Sequence, residues 1–317
     1  MDAITSENRR QSGTKLHPGG SSRRVLFTAD DFGLSPALNN AVALAYRLGL
    51  LRNASLMPAA PASAHALALA RQFPGLCLGV HLTLVQGRSV LPPYTLPRLV
   101  DAESCFPSDP VHTGWRYFFD PRLLPEIRRE LRAQIEAVLA AGLPVWHLNG
   151  HLNLHLHPRL APLVVDLARE YRVPALRLAR EDWRTTLALT PGNPFPKATL
   201  GVIFGILSRR ARRLAETAGL LVNDHLFGLT HPGRLTEDYL VKLVPRLQPG
   251  LTEIYCHPAL AADPVLVQAA PGYWRLEEFT ALVSPRLKEA LDQNEIEVTN
   301  FREVVQKQRR APGQFSP

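Results

Sequence analysis

The chain has 317 residues, 46% hydrophobic and 20% charged, a composition able to bury a sizeable core in one large domain or two smaller ones. No apolar run approaches the roughly 18–20 residues that span a bilayer; three scattered cysteines, Cys77, Cys105 and Cys256, argue against a disulfide framework or a thiolate zinc knot. Basic residues outnumber acidic ones, 36 to 28, a balance that suits acidic partners, but no aromatic interleaving or nucleic-acid motif accompanies it, so no nucleic acid is expected.

Residues 1–23 are polar and carry acids with no apolar core, which reads as a disordered leader rather than a secretory signal; the cysteine pattern makes a reducing cytoplasm the default expectation. "RRVLFTADDFG" then gives a strand ending in two acids and a glycine. "SPALNNAVALAYRLG" gives a helix with Ser35 as cap, Pro36 in the first turn and Gly49 as stop. "NASLMPA", "ASAHALALARQF" and "LCLGVHLTLV" read as strand, helix and strand, and a proline-rich loop runs to about Asp120. Leu124, Ile127, Leu131, Ile135, Val138 and Leu139 form one apolar helical stripe, stopped by Gly142. "PVWHLN" is the next strand, Pro158 opens a helix, and "PALRLA" is a strand. Residues 180–220 break the rhythm as an insertion with a basic amphipathic helix. "LVNDHLFGL", a helix near Thr236–Leu247, "TEIYCHP", a helical stretch Trp274–Asn294 and "EIEVTN" follow, and 301–317 read as a helix end and tail. The alternation predicts a single α/β domain over 24–300, a (β/α) barrel-like fold of about seven parallel strands, with distorted or incomplete closure allowed.

In such folds chemistry gathers where strands end. Asp30 and Asp31 follow the first strand, His81 lies near the end of the third, and His257 ends a late one. "WHLNGHLNLHLHP" carries His147, His151, His155 and His157. If that segment is helical, residues four apart share a face; if it is extended, the odd-numbered histidines do. His147 and His157 read as supporting structure. A carboxylate with two imidazoles leaves positions open for water on a metal ion, as hydrolysis requires, and a neighbouring carboxylate suits a base. Deacylation, phosphoester hydrolysis by a metal-dependent phosphoesterase, and a non-enzymatic basic binding protein with a decayed site all stay open on these residues.

"TADDFGLS", "GVHLTL" and "HLNGHLNLHLHP" resemble the signature segments of the YdjC/ChbG-type carbohydrate deacetylases. "GWRYFFDPR", "NDHLFGL", "TEIYCHP" and "LVSPRLKEAL" resemble their hopanoid-biosynthesis branch, HpnK; the likeness covers Arg24 to Ile296. The resemblance implies one divalent metal ion (Zn, Mg, Mn, Co and Ni not distinguished), held by Asp31, His81 and His151. It makes Asp30 the general base, His257 the candidate acid and His155 a supporting or alternative ligand. Asn149 and Asn153 depart from the family pattern; Asn149 can still hydrogen-bond a ligand histidine. The implied substrate is an N-acetylglucosaminyl hopanoid, with soluble N-acetylated oligosaccharides as the alternative. Arg209, Arg210, Arg212 and Arg213, beside an apolar half-helix, are expected to meet an anionic membrane on its cytoplasmic side and to admit the lipid; the plainer expectation is a packed helix with a basic outer face.

Overall fold

The computed structural model describes residues 22–190 and 192–310. The expected leader therefore lies outside the described residues except for Ser22 and Arg23, and Arg23 already opens the first strand. Nine strands form one sheet: β1 (Arg23–Phe32), β2 (Asn53–Leu56), β3 (Cys77–Leu82), β4 (His147–Gly150), β5 (Ala175–Leu176), β6 (Leu221–Val222), β7 (His225–Phe227), β8 (Gly250–Cys256) and β9 (Ile296–Val298). Their order is β6-β5-β4-β3-β2-β1-β8-β7, with β9 beside β1, and every pairing is parallel. Past β5 the chain swings to the far edge, where the Leu226 amide donates to the Arg180 carbonyl at 3.0 Å and Glu181 bridges Leu226. That contact draws the sheet into the expected barrel-like form.

Several sequence boundaries move. Among the described residues there are nine strands where about seven were expected; one of the additions arises because "LVNDHLFGL" splits at Asn223 and Asp224 into β6 and β7, and the two-residue β6 escapes pattern reading. The supposed loop before Asp120 contains a helix, Pro110–Phe119, whose cap Asp109 accepts from the amides of Val111 and His112. Residues 180–220 are the connection from β5 to β6, built as helices Trp183–Leu189 and Pro194–Thr217. The Trp274–Asn294 stretch is two helices, Arg275–Leu282 and Pro285–Gln293, the second capped by Ser284. Helix Phe301–Arg310 belongs to the domain: Phe301, Val304 and Val305 are buried beneath the barrel with Leu26, Cys77, Ala175 and Leu251. No described helix is long and apolar enough to cross a membrane.

Because strand side chains alternate, each strand sends every second residue into the barrel. Along β1 the outward set Val25, Phe27 and Ala29 packs in the main core under the surrounding helices, while the inward set runs Leu26, Thr28, Asp30. β3 sends in Cys77, Gly79 and His81; β4 sends in His147 and Asn149; β8 sends in Leu251, Glu253 and Tyr255. The interior therefore grades from an apolar floor to a polar mouth at the strands' C-terminal ends. Gly79 permits the middle layer, since a Cβ there would stand 2.3 Å from His147 Nε2. His147 fills that space, stacked on Phe301 at 4.4 Å with Ser55 Oγ 3.0 Å from its Nε2. It is supporting structure, as its sequence position suggests.

Candidate metal centre and catalytic pocket

Two adjacent strand residues normally point to opposite faces, yet Asp30 and Asp31 both line one cavity, of about 60 Å³. The register explains it: Ala29 pairs with Ala54 and Phe32 with Leu56, so both aspartates stand opposite Ser55 in a β-bulge. Asp31 takes the left-handed backbone at φ 59°. Aspartate tolerates that region better than most residues, which lets the bulge form without a glycine.

Asp31 Oδ1 lies 3.3 Å from His81 Nε2 and 3.2 Å from His151 Nδ1. Among the described residues these three form the group able to hold a metal ion, with ligand atoms all within 4.8 Å of one another. Asn149 sets the tautomer of His81. Its side-chain nitrogen donates to Ser55 Oγ (2.8 Å) and Asp30 Oδ1 (3.2 Å), which leaves its oxygen to accept from His81 Nδ1 at 2.8 Å. His81 Nε2 is then free toward Asp31. An asparagine thus does here what a carboxylate would do without adding a further buried charge.

Asp30 is buried and forked by Arg177, whose Nη2 donates to Asp30 Oδ1 at 2.9 Å and whose Nη1 donates to Oδ2. The same Nη2 donates to Glu253 Oε1 at 2.8 Å, and Thr28 Oγ1 donates to that oxygen at 2.7 Å. Burial alone would raise the Asp30 pKa, but the Arg177 guanidinium and then His81 overcome it and bring it to about 2. Burial likewise opposes ionisation of Asp31, and His151 and His81 outweigh it, leaving its pKa well below the usual value. For His81, burial disfavours the cation, but Asp30 and Asp31 raise the pKa nonetheless. Asp30 and Glu253 thus share one guanidinium, while Asp31 faces only the imidazoles of His81 and His151, a setting that favours added positive charge beside Asp31. With mixed oxygen and nitrogen donors, that charge balance fits a divalent ion.

His257 sits across the cavity, its ring 5.7 Å from that of Tyr255 and 4.9 Å from that of Tyr273. Burial lowers its pKa to about 4 although Asp31 pulls the other way, and its Nδ1 has no partner among the described residues. Its backbone is held from behind: Glu278 accepts from the His257 amide at 2.6 Å and from that of Leu235 at 3.1 Å. Burial pushes the Glu278 carboxyl up to about 7 against these hydrogen bonds and Arg275. A folded-state pKa above the ordinary 4.5 means the native state keeps a proton that the unfolded chain has released. The stability that Glu278 contributes is therefore lost as pH rises from 4.5 to about 7, roughly 3 kcal/mol in all, while buried histidines such as His257 act in the opposite direction below pH 6.5. Urea unfolding at pH 5, 6 and 7.5 should show the native chain losing stability relative to Glu278→Gln as pH rises; a constant difference between the two would refute the assignment.

The other predicted residues fall outside the cluster. His155 is not an alternative ligand: the segment His151–Leu156 is a tight turn with Leu152 and Asn153 at φ 53° and 55°, neither helical nor extended. His155 is thereby turned inward, where its Nε2 donates to the Arg177 carbonyl at 2.9 Å. It supports the residue that holds Asp30. His157 enters the following helix as expected, its Nδ1 accepting from the Arg159 amide at 3.2 Å. Arg209, Arg210 and Arg213 are exposed, but Arg212 turns away to donate to the Asn223 carbonyl at 2.7 Å and to face Glu216 and Asp224. Sequence reading missed Arg177 and Glu253. Their signal was there, as single charges inside the apolar strands "PALRLA" and "TEIYC" at the level of the other site residues.

A carbohydrate deacetylase of Vibrio cholerae serotype O1 is 32% identical over 289 residues, 89% of this chain and 96% of that one. One of Geobacillus stearothermophilus is 29% identical over 284 residues, covering 89% and 98%. The crystal structure of a putative cellobiose-phosphate cleavage protein from Enterococcus faecalis V583 superposes with a TM-score of 0.69 at 26% identity, covering 90% of this chain and 99% of that one. The family model described as YdjC-like protein matches residues 24–293, and the chain belongs to that family.

Proposed function

We propose that the protein is a metal-dependent N-deacetylase that releases acetate from a lipid-linked N-acetyl amino sugar, an N-acetylglucosaminyl hopanoid by its resemblance, at the cytoplasmic side of an anionic membrane. The observation that carries the chemistry is the convergence of Asp31, His81 and His151 beside the ionised Asp30 in one cavity. Asp31, His81 and His151 would hold the ion, which supplies Lewis acidity toward a carbonyl and toward water. Asp30 Oδ2 accepts one hydrogen bond, from Arg177, and keeps a lone pair with which to take the proton of an attacking water. His257, neutral at rest, would take a proton from solvent as negative charge develops, favoured by both aspartates, and pass it to the departing sugar nitrogen, while the proton that Asp30 took from water returns to solvent.

The lipid linkage rests on where apolar side chains are left in water. Trp115, Phe119, Leu152, Trp274 and an outer stripe of helix Pro194–Thr217 are all exposed, and Leu152 lines the catalytic cavity itself. On that helix Phe195 (76% exposed), Val202 (52%) and Ile206 (59%) recur at helical spacing and continue into Arg209 and Arg213. An apolar stripe ending in arginines suits an anionic bilayer.

The test is acetate release by protein supplied with a divalent metal, from N-acetylglucosaminyl lipid in vesicles with and without anionic phospholipid. Anionic vesicles should react several-fold faster, and Arg209→Glu/Arg210→Glu/Arg213→Glu should remove that difference. Acetate from soluble oligosaccharides alone would end the lipid reading, and none from any substrate with several metals would end the deacetylase reading.

A further inference from the structure

We propose that Asn153 binds the sugar hydroxyl beside the acetamide, which limits the substrates to 2-acetamido sugars with a free 3-hydroxyl; this rests on the deacetylase reading. Asn153 lines the catalytic cavity and is only 5% exposed, yet its Oδ1 has no hydrogen-bond partner among the described residues. A buried amide left unpaired is costly, and a folded protein keeps one where a ligand or a bound water supplies the missing partner. The turn that carries Asn153 is pinned on both sides. His151 faces Asp31 at 3.2 Å, and His155 Nε2 donates to the Arg177 carbonyl at 2.9 Å. A Cβ at Gly150 would stand 3.0 Å from that of His155, so the turn closes tightly on itself. Within it Asn153 takes the left-handed backbone at φ 55°, which asparagine tolerates better than most residues.

The other polar groups of the cavity are engaged or stand elsewhere. Asp30 holds Arg177, and Asp31, His81 and His151 form the metal group. Gln86 is exposed and donates to the Ser108 carbonyl at 2.9 Å, while the rings of Tyr255 and Tyr273 flank His257. Asn153 is thus the neutral polar side chain two residues from a metal ligand. An acetamide directed at the metal group brings along the ring carbon that bears it. That carbon has two ring neighbours: the anomeric carbon, whose oxygen is closed by the glycosidic bond, and the carbon that carries the 3-hydroxyl. A hydroxyl both donates and accepts, and an amide with a soft terminal torsion can meet it with either end.

The experiment compares kcat/KM for acetate release from octyl N-acetylglucosaminide and its 3-deoxy and 6-deoxy analogues, each below its micelle concentration, with the full-length metal-supplied protein. The native protein should lose about ten- to a hundredfold on the 3-deoxy analogue, whose missing hydroxyl leaves the amide unpaired. Asn153→Gly suits the left-handed turn and removes the amide, so there the parent and the 3-deoxy analogue should differ by less than about threefold. The 6-deoxy ratio should stay as in the native protein. Each ratio is taken within one protein, so a smaller folded fraction cancels; Asn153→Ser, a second removal of the amide, should lower the 3-deoxy ratio in the same direction. A native protein indifferent to the 3-deoxy change overturns the assignment, as does a penalty that survives both substitutions or an equal change for both analogues. Inactivity of both variants on every substrate also overturns it, being more than one hydroxyl can explain, and so does loss of Zn²⁺ uptake by calorimetry, which would make Asn153 a ligand. No acetate from the parent glycoside with native protein overturns the deacetylase reading and this inference with it.

Discussion

Asp30→Asn is expected to lower turnover by about three orders of magnitude while the protein still takes up a divalent ion. The two effects separate because the bulge gives the adjacent carboxylates different neighbours. Asp31 faces His81 and His151, whereas Asp30 faces Arg177 and Asn149. An amide at position 30 keeps the shape and one acceptor but cannot take a proton from water, and loss of a positioned base costs typically 10²–10⁴-fold. Asp31→Asn should instead weaken metal uptake itself. Calorimetric titration with Zn²⁺ or Mn²⁺ beside acetate release resolves the two, and an Asp30→Asn protein retaining a tenth of the native rate would sink the role given to Asp30.

The strand-to-loop positions of the site were readable because β/α order alone says where chemistry collects, and four histidine- or aspartate-bearing segments fell there. The side chains' directions were not. Whether Asp30 and Asp31 could cooperate depended on a one-residue bulge against β2, a property of the pairing partner that leaves no mark in "TADDFG" itself. The conformation of "GHLNLHLHP" depended on two left-handed residues, Leu152 and Asn153. Leucine is a poor candidate for that region, so spacing rules built on helix and strand both misplace His155. Strand boundaries failed where tertiary contact overrides local preference: a two-residue strand such as β6 exists only through its neighbour β5. The long amphipathic helices, whose pattern repeats over several turns, were legible to within a few residues.

Arg177→Met should destabilise the fold by about 3–5 kcal/mol, the usual result of removing one partner from a buried ion cluster. Arg177 is wholly buried, its charge shared between Asp30 and Glu253, and its guanidinium lies 4.7 Å over the ring of Tyr255. Burial opposes its charge, yet the two carboxylates raise its pKa above the ordinary value. Methionine fills a similar volume but leaves both carboxylates without a counter-charge in the barrel interior, where desolvation makes each expensive. Arg177→Lys keeps a charge but cannot fork both oxygens of Asp30 while reaching Glu253, so it should fall between. Urea unfolding measures the loss. Adding Glu253→Gln to Arg177→Met removes one of the stranded charges and should recover part of it. A structural arginine unrelated to those carboxylates would show no such recovery, and a loss below 1 kcal/mol would mean that the cluster does not hold the barrel mouth together. The same residue thus links fold and chemistry: the side chain that stabilises the mouth is the one that keeps Asp30 ionised and aimed into the pocket.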